Sequence, residues 1–326
     1  MRVAVTGASG HLGANLVRAL LDDGHEVTAL VRDDVRALEG LPVRRIQGDL
    51  FDAGALRRAF DGCEACFHAA GMIAITRDPT GDVMRVNRRG TRAVVDACLE
   101  TGVRRLVHVS SIHALSSHPA HAATDEERGP ADADPTVSAY GCSKALGERE
   151  VLEGIARGLD AVIVNPTAII GPHDWKPSRM GRFILAVMRG RMPALVAGGF
   201  NFVGAGDVAR GAIAAAKLGR KGERYMLSGT WRSVPALAHQ IARTSGTKPP
   251  RMVVPTALAR IGAPVVEAFA RWTGASPLFT RESVQHLREH REVDRGKAER
   301  ELAYAPRPLE ETIDQTVAWF RGQGAG

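Results

Sequence analysis

Long apolar runs, blocks of like charge and cysteine are all scarce in this chain of 326 residues. No window approaches the roughly 20 apolar residues that a bilayer span requires, so no membrane partner is expected. The 43 Lys and Arg outnumber the 36 Asp and Glu, for a formal charge of +7. Only six of those basic residues are lysine, and no run of five or six like charges occurs. A nucleic-acid partner is therefore not expected, and the basic balance reads as a solvated surface meeting an anionic small ligand. Cys63, Cys66, Cys98 and Cys142 are too few and too irregular for a disulfide framework, so free thiols and a cytoplasmic setting are expected. Cys63 and Cys66 have metal-type spacing, but no second CxxC or His pair completes four ligands, and on the strand assigned there an offset of three points them to opposite faces. No metal is expected.

What is present fits a globular enzyme, with 44% hydrophobic and 24% charged residues. The opening MRVAVTGASG is already a strand and a glycine loop, which leaves no room for a secretory leader. Runs rich in Val, Ile and Leu at 2–6, 26–31, 43–47, 65–70, 105–110 and 161–165 alternate with helical periods at 12–22, 53–60, 80–101 and 138–157. This alternation predicts an α/β fold: a Rossmann-type doubly wound parallel sheet over 1–170. Residues 172–182 read as loop near the start of a smaller mixed α/β substrate-binding region over 171–326, with isolated short strands such as 224–229 and partly interleaved with the sheet domain.

The first strand runs into 6-TGASGHLGANL-16, where Gly7, Gly10 and Gly13 let the backbone turn sharply and approach a ligand. A pyrophosphate at the start of the next helix suits that loop; close packing alone is the other explanation for three glycines there. At the end of the second strand Val31 stands where a ribose-binding carboxylate is usual, and Arg32 follows it. Arg32, assisted by Arg36, can meet a 2′-phosphate with paired N–H donors, so NADP(H) is expected ahead of NAD(H). In the NAD(H) alternative, Asp33 or Asp34 takes the ribose hydroxyls. Asp49, closing the third strand, can accept from the adenine amino group, and small Ala69, Ala70 and Gly71, closing the fourth, admit a flat cofactor. His68 reads as a strand-end packing residue.

In 138-SAYGCSKALGERE-150, Tyr140 and Lys144 are i and i+4 on one helical face. An ammonium beside a phenol lowers its pKa from about 10, as proton transfer near neutrality requires. The plainer alternative is that Tyr140 caps an apolar seam and Lys144 is solvated. The fifth strand ends in two serines at its carboxyl edge, on the side of the glycine loop, where a hydroxyl can hold a substrate oxygen that Tyr140 protonates.

In their order, TGASGHLG, QGDL, FHAAG, VNRRGT, HVSS, YGCSK and NPTAIIGP resemble the extended short-chain dehydrogenase/reductases over nearly the whole chain. The segments 164–182, 222–229 and 298–313 look most like the dihydroflavonol-reductase-like branch, including members labelled hopanoid-associated sugar epimerases. The resemblance implies Ser111, Tyr140 and Lys144 as catalytic residues and a structural role for Asn87. It also implies cofactor contacts at Gly7, Ser9, Gly10, His11, Leu12, Gly13, Arg32, Arg36, Asp49, Leu50, Ala69, Ala70, Gly71, Tyr140, Lys144, Pro166 and Ile169. Relatives often pair through helices matching 80–101 and 138–157, so a homodimer is expected.

Relatives acting on nucleotide sugars carry a diphosphate-clamping arginine in a segment such as RDFVYVDD. Here 200-FNFVGAGDVA-209 has Phe200 in its place and Gly206 for the first aspartate, which predicts a less charged small-molecule substrate and a looser turn around 204–206. Ile112, His113, Asn165, Trp175, Arg179 and Phe200 form the expected pocket wall, with His113 either touching substrate or simply packing. The resemblance thus implies an NADP(H)-dependent reductase or dehydrogenase of a ketone, aldehyde or alcohol. A sugar epimerase or dehydratase that retains its cofactor is the enzymatic alternative, and a non-catalytic dinucleotide sensor the other.

Overall fold

The computed structural model describes residues 1–73, 78–119, 122–131, 138–262, 281–287 and 289–324. Six parallel strands, β1 (Arg2–Thr6), β2 (Glu26–Val31), β3 (Val43–Gln47), β4 (Ala65–His68), β5 (Arg105–Val109) and β6 (Ala161–Pro166), form the sheet that the sequence pattern predicts. Their order is β3-β2-β1-β4-β5-β6, so the chain reverses direction between β1 and β4 and leaves a crevice there. The central strands are apolar on both faces because helices cover both: Val3, Val5, Val107 and Val164 pack in one cluster, Ala4, Leu106 and Ile163 in the other.

Helices α1 (His11–Asp22) and α2 (Ala53–Phe60) follow β1 and β3. The helix expected over 80–101 is interrupted. It consists of α3 (Asp82–Met84), a π-helical turn over Arg85–Arg89, and α4 (Gly90–Thr101). Buried Asn87 sits in the π turn, where its side chain donates to Met72 O and Ser143 Oγ and accepts from the Met72 amide. The widened turn thus belongs to the residue that ties the segment after β4 to helix α5 (Ala139–Ala156).

Beyond β6 come β7 (Ala168–Ile170), α6 (Arg179–Met188), β8 (Ala194–Val196), β9 (Gly199–Gly204), α7 (Ala205–Leu218), β10 (Arg224–Leu227), β11 (Thr230–Ser233), α8 (Val234–Ser245) and β12 (Met252–Val254). β7, β9 and β11 form a three-stranded sheet, and β8 pairs with β12. Their core gathers Ile170, Ile184, Phe202, Leu237, Ile241, Ile313 and Val317, separate from the clusters on the main sheet. Among the described residues, no helix is long and apolar enough to cross a membrane.

Four local expectations need correcting. The strand at 224–227 is not isolated: β10 pairs with β6 as the seventh, edge strand of the main sheet. Residues 172–182 are not all loop, because Ser178 caps α6 by accepting from the Gly181 amide. Cys63 precedes β4, so the two-face argument for it and Cys66 does not apply; both thiols are buried in the same apolar cluster. Lastly, the 204–206 turn is tight. Gly204 caps α7, Ala205 is fully buried, and Asp207 is held by Arg210 at 2.8 Å and Arg307 at 2.9 Å.

The edge strand is secured by charge. Arg224 Nε on β10 donates to Glu148 Oε2 at 2.7 Å, and Asn165 Nδ2 on β6 donates to Glu148 Oε1 at 2.7 Å. Glu148 is only 1% exposed. Arg224→Met therefore strands a buried carboxylate, and urea unfolding is expected to show a loss of about 3–5 kcal/mol. Glu148→Leu/Arg224→Met is expected to recover most of that loss; a double variant as unstable as the single one refutes this account.

Candidate active site

The glycine loop lies at the mouth of the β1–β4 crevice, held there by backbone contact. Gly7 has φ 72°, and a Cβ on it would stand 2.5 Å from Ala70 N and 2.6 Å from the Ala69 carbonyl carbon. A Cβ on Gly13 would stand 2.0 Å from Gly7 O. These two positions hold the loop against the end of β4, so close packing accounts for both of them. Gly10 is exposed and caps α1 without a side-chain hydrogen bond, which leaves first-turn amides facing the crevice. Ser9 Oγ is buried there without a partner. A cradle of amides and an unsatisfied hydroxyl at a helix N-terminus fit the pyrophosphate of a dinucleotide.

The flanking residues divide in their surroundings. His11 Nε2 bonds Gly171 O at 3.1 Å, and Asn15 Nδ2 donates to Pro172 O at 2.9 Å, tying α1 to the chain beyond β7. Burial lowers the His11 pKa, so this ring is neutral at physiological pH. Leu12 is half-buried against the main core, as is Ile169 on β7, while Pro166 ends β6 opposite Leu227. Leu50 is buried against Gly90 at the start of α4. His68 is neutral and buried, bonded to Thr6 Oγ1 at 2.7 Å and Thr91 Oγ1 at 3.0 Å, in keeping with a packing role.

At the end of β2, Arg32 and Asp33 are exposed. Arg36 is engaged by Asp34 through two side-chain hydrogen bonds of 2.6 and 3.0 Å. That pairing holds the Asp34 carboxyl down at about 2, with a smaller contribution from Lys176. Lys176, not anticipated from sequence, therefore adds positive charge to this end of the crevice; nothing in its local sequence marks it. Asp49 is exposed and accepts from the Phe51 amide at 2.7 Å, which orders the turn after β3.

Ser111, Tyr140 and Lys144 converge at the carboxyl end of β5. Ser138 caps α5 through the Gly141 amide, placing Tyr140 and Lys144 in its first turns. Ser111 Oγ accepts from the His113 amide at 3.2 Å, and the Ser111 side chain is near enough to the Tyr140 phenol to act on its pKa. Lys144 Nζ donates to Val109 O at 3.0 Å, and a Cβ on Gly71 would lie 3.3 Å from it. The ammonium thus lies between the serine strand and the segment that follows β4. Both side chains are buried, which overturns the alternative of a solvated lysine.

The electrostatics differ from the sequence-based expectation. Burial pushes the Tyr140 phenol above its ordinary value, and the opposing influence is the neighbouring Ser111 side chain, not the lysine charge. Burial also lowers Lys144 to about 8, against an upward pull from Glu148. With its ammonium turned to Val109 O, Lys144 is not the group that tunes the phenol in this geometry.

Of the expected pocket wall, one residue lines the cavity described at the start of α5. That cavity, of about 120 Å³, is bounded by His113, Ser116, Ser138, Gly141, His286, Glu289 and His290, among others. Asn165 is corrected from a wall residue to a bracket: it is fully buried, donating to Ser111 O at 3.0 Å and to Glu148. Ile112 is 4% exposed and packs on Leu115 and Met226, so it too is core. Phe200 packs edge-on to Phe202 on β9, Trp175 packs edge-on to Trp319, and Arg179 is exposed at the start of α6. His113 has its ring 6.0 Å from Tyr140, 4.4 Å from His286 and 5.7 Å from His290. Burial holds His113 well below the usual imidazole range and His290 at about 4, while His286 helps hold Glu289 at about 2. The last three residues were missed in the sequence although 286-HLREH-290 carries a recognisable H-x-x-E-H spacing.

Comparison with known proteins agrees with this architecture. Residues 3–228 match the model of the NAD dependent epimerase/dehydratase family. The chain is 37% identical over 328 residues to sterol demethylase protein B of Methylococcus capsulatus, covering 99% of both chains. It is 33% identical to a putative dihydroflavonol 4-reductase of Synechocystis, covering 98% of this chain and 94% of that protein. The crystal structure of gox2253 superposes with a TM-score of 0.86 at 35% identity, over 99% of this chain and 98% of that one. With its six-strand parallel core, its glycine-loop crevice and homologues named as reductases, this chain is an NAD(P)-dependent oxidoreductase that belongs to the NAD dependent epimerase/dehydratase family.

Proposed function

We propose that the protein is an NADP(H)-dependent reductase of a ketone or aldehyde, reversible to the matching alcohol, with Ser111, Tyr140 and Lys144 as its reaction centre. The observation that carries this reading is that Ser111 and the Tyr140 phenol come together at the end of β5 with buried Lys144, whose Nζ donates to Val109 O, at the edge of the glycine-loop crevice. A nicotinamide, when bound, supplies or accepts the hydride. Ser111 and Tyr140 then hold the substrate oxygen between two hydroxyls. Because its pKa is raised, Tyr140 is fully protonated at neutral pH and ready to donate to the oxygen of a carbonyl being reduced. Lys144 provides a fixed cation near the sugar of the cofactor. Arg32, exposed and without an ion pair among the described residues, is the guanidinium placed to accept a 2′-phosphate, with Lys176 adding to the field. Phe200 in place of a guanidinium favours a carbonyl substrate lacking a diphosphate over a nucleotide sugar.

Absorbance of the reduced nicotinamide with a panel of aliphatic, aromatic and alicyclic carbonyls tests the activity. Net oxidation is expected; a cofactor that stays bound while every carbonyl is inert defeats the reductase reading in favour of the epimerase. Tyr140→Phe is expected to lower kcat at least about 100-fold while cofactor binding persists, and undiminished turnover removes Tyr140 from the mechanism. Lys144 sets the pH dependence. Its folded pKa lies below its ordinary value, so its charge is complete under about pH 8 and is lost as pH rises through that point. The kcat/KM for reduction is accordingly expected to fall above about pH 8, whereas a profile flat to about pH 10 contradicts this role. Arg32→Ala is expected to weaken NADPH about tenfold or more in fluorescence titrations and to leave NADH nearly unchanged; an equal loss for both cofactors ends the NADP(H) assignment.

A further inference from the structure

We propose that His113, Glu289 and His290 form a binding site for a divalent first-row transition metal of the Zn²⁺ type, in the cavity at the start of α5. One ligand atom from each of the three lies within 4.8 Å of the others. Around a tetrahedral Zn²⁺ with bonds of about 2.0–2.1 Å, such atoms sit roughly 3.3 Å apart, so side-chain adjustments of about an ångström complete the set. The residues come from two distant parts of the chain. His113 follows the serine strand, and Glu289 and His290 follow the short helix Arg281–His286. His290 has φ 47°, an unusual backbone for a residue with a Cβ, and this turn brings it round toward His113. The H-x-x-E-H spacing therefore works here differently from a continuous metalloprotease helix, since the helix has already ended at His286.

The supporting contacts are those that orient metal ligands elsewhere. Thr124 Oγ1 engages His290 Nδ1 at 3.0 Å, which leaves Nε2 for a metal. His286 Nδ1 meets Glu289 Oε2 at 2.6 Å, and Gln285 Nε2 donates to Glu289 Oε1 at 2.9 Å, which fixes the carboxylate. Two imidazoles and one carboxylate select Zn²⁺, Co²⁺ or Ni²⁺ over Mg²⁺ or Ca²⁺, which favour all-oxygen sites. The remaining coordination positions open onto the cavity lined by Ser116 and Ser138. This site does not depend on the identity of the carbonyl substrate.

The test uses the full chain, stripped of metal with a chelator. Equilibrium dialysis is expected to show one saturable equivalent of Zn²⁺ per chain, and Co²⁺ titration is expected to give the visible bands of a low-coordinate nitrogen–oxygen site. His290→Ala and Glu289→Gln are each expected to weaken Zn²⁺ by about 100-fold or more and to abolish those bands. Thr124→Val, which leaves all three ligands in place, is expected to weaken it about 10-fold. Zn²⁺ is also expected to raise the melting temperature of the native chain and not that of His290→Ala. Failure to saturate below about 100 μM Zn²⁺ overturns the proposal. So does stoichiometric binding undiminished in both ligand variants, which places the ion elsewhere. Should the ligand variants not fold, Thr124→Val decides: affinity equal to the native chain refutes the site.

Discussion

A single buried carboxylate organises the proposed reaction centre. Glu148 lies on α5 one turn beyond Lys144, and its two oxygens reach two other elements: Asn165 on β6 and Arg224 on β10. Asn165 in turn holds the Ser111 carbonyl. The helix carrying Tyr140 and Lys144, the serine following β5 and the edge strand are thereby fixed to one anion. A carboxylate so far from water is tolerated only when each oxygen is matched, and here a guanidinium and an amide supply the matches. The same charge pulls upward on Lys144, opposing the burial that lowers it. Structural bracket and electrostatic partner are therefore the same residue.

That arrangement bears on how the two titrating groups divide their work. Removal from water acts on both in the direction of neutrality, keeping the phenol protonated and weakening the ammonium. In the proposed reductase, such a centre is poised as an acid, which matches reduction more readily than alcohol oxidation. The ammonium bonds a backbone carbonyl on β5, so its position is set by the sheet and not by the tyrosine.

Much of this was legible in the sequence. The six sheet strands were located to within two residues because a parallel sheet covered on both faces requires continuous apolar runs, and RVAVT, EVTALV and AVIVN are such runs. The glycine loop and the tyrosine–lysine pair were legible because their chemistry depends on short fixed spacings. Other features were not, for definite reasons. The strand at Arg224–Leu227 has the same composition whether isolated or paired, and only its partner β6 makes it the seventh strand. Asn165 reads as a polar residue at a strand end, and nothing local says that it turns inward to Glu148. The π turn at Arg85–Arg89 follows from contacts that Asn87 makes with Met72 and Ser143, residues remote from it in sequence. A hydrogen-bonded pair such as Arg36 and Asp34 was equally hidden, since both were candidate cofactor contacts until the structure joined them.

The two sides of the crevice are consequently of different kinds. On the side of the glycine loop, the wall is largely backbone: amides of a loop that glycine allows to touch β4, plus a strand end with an exposed arginine. Such a side is encoded in contiguous residues and serves any chain that keeps the loop. The other side is made of side chains drawn from the 113 region, the start of α5 and the 285–290 segment, brought together only when the C-terminal region packs against the sheet. Its chemistry is imidazole-rich and carboxylate-bearing where a mixture of apolar surface and a few donors was expected. Residues far along the chain, His286 and His290, thus come into ring contact with His113, and His113 with Tyr140, without belonging to any motif that identifies the family.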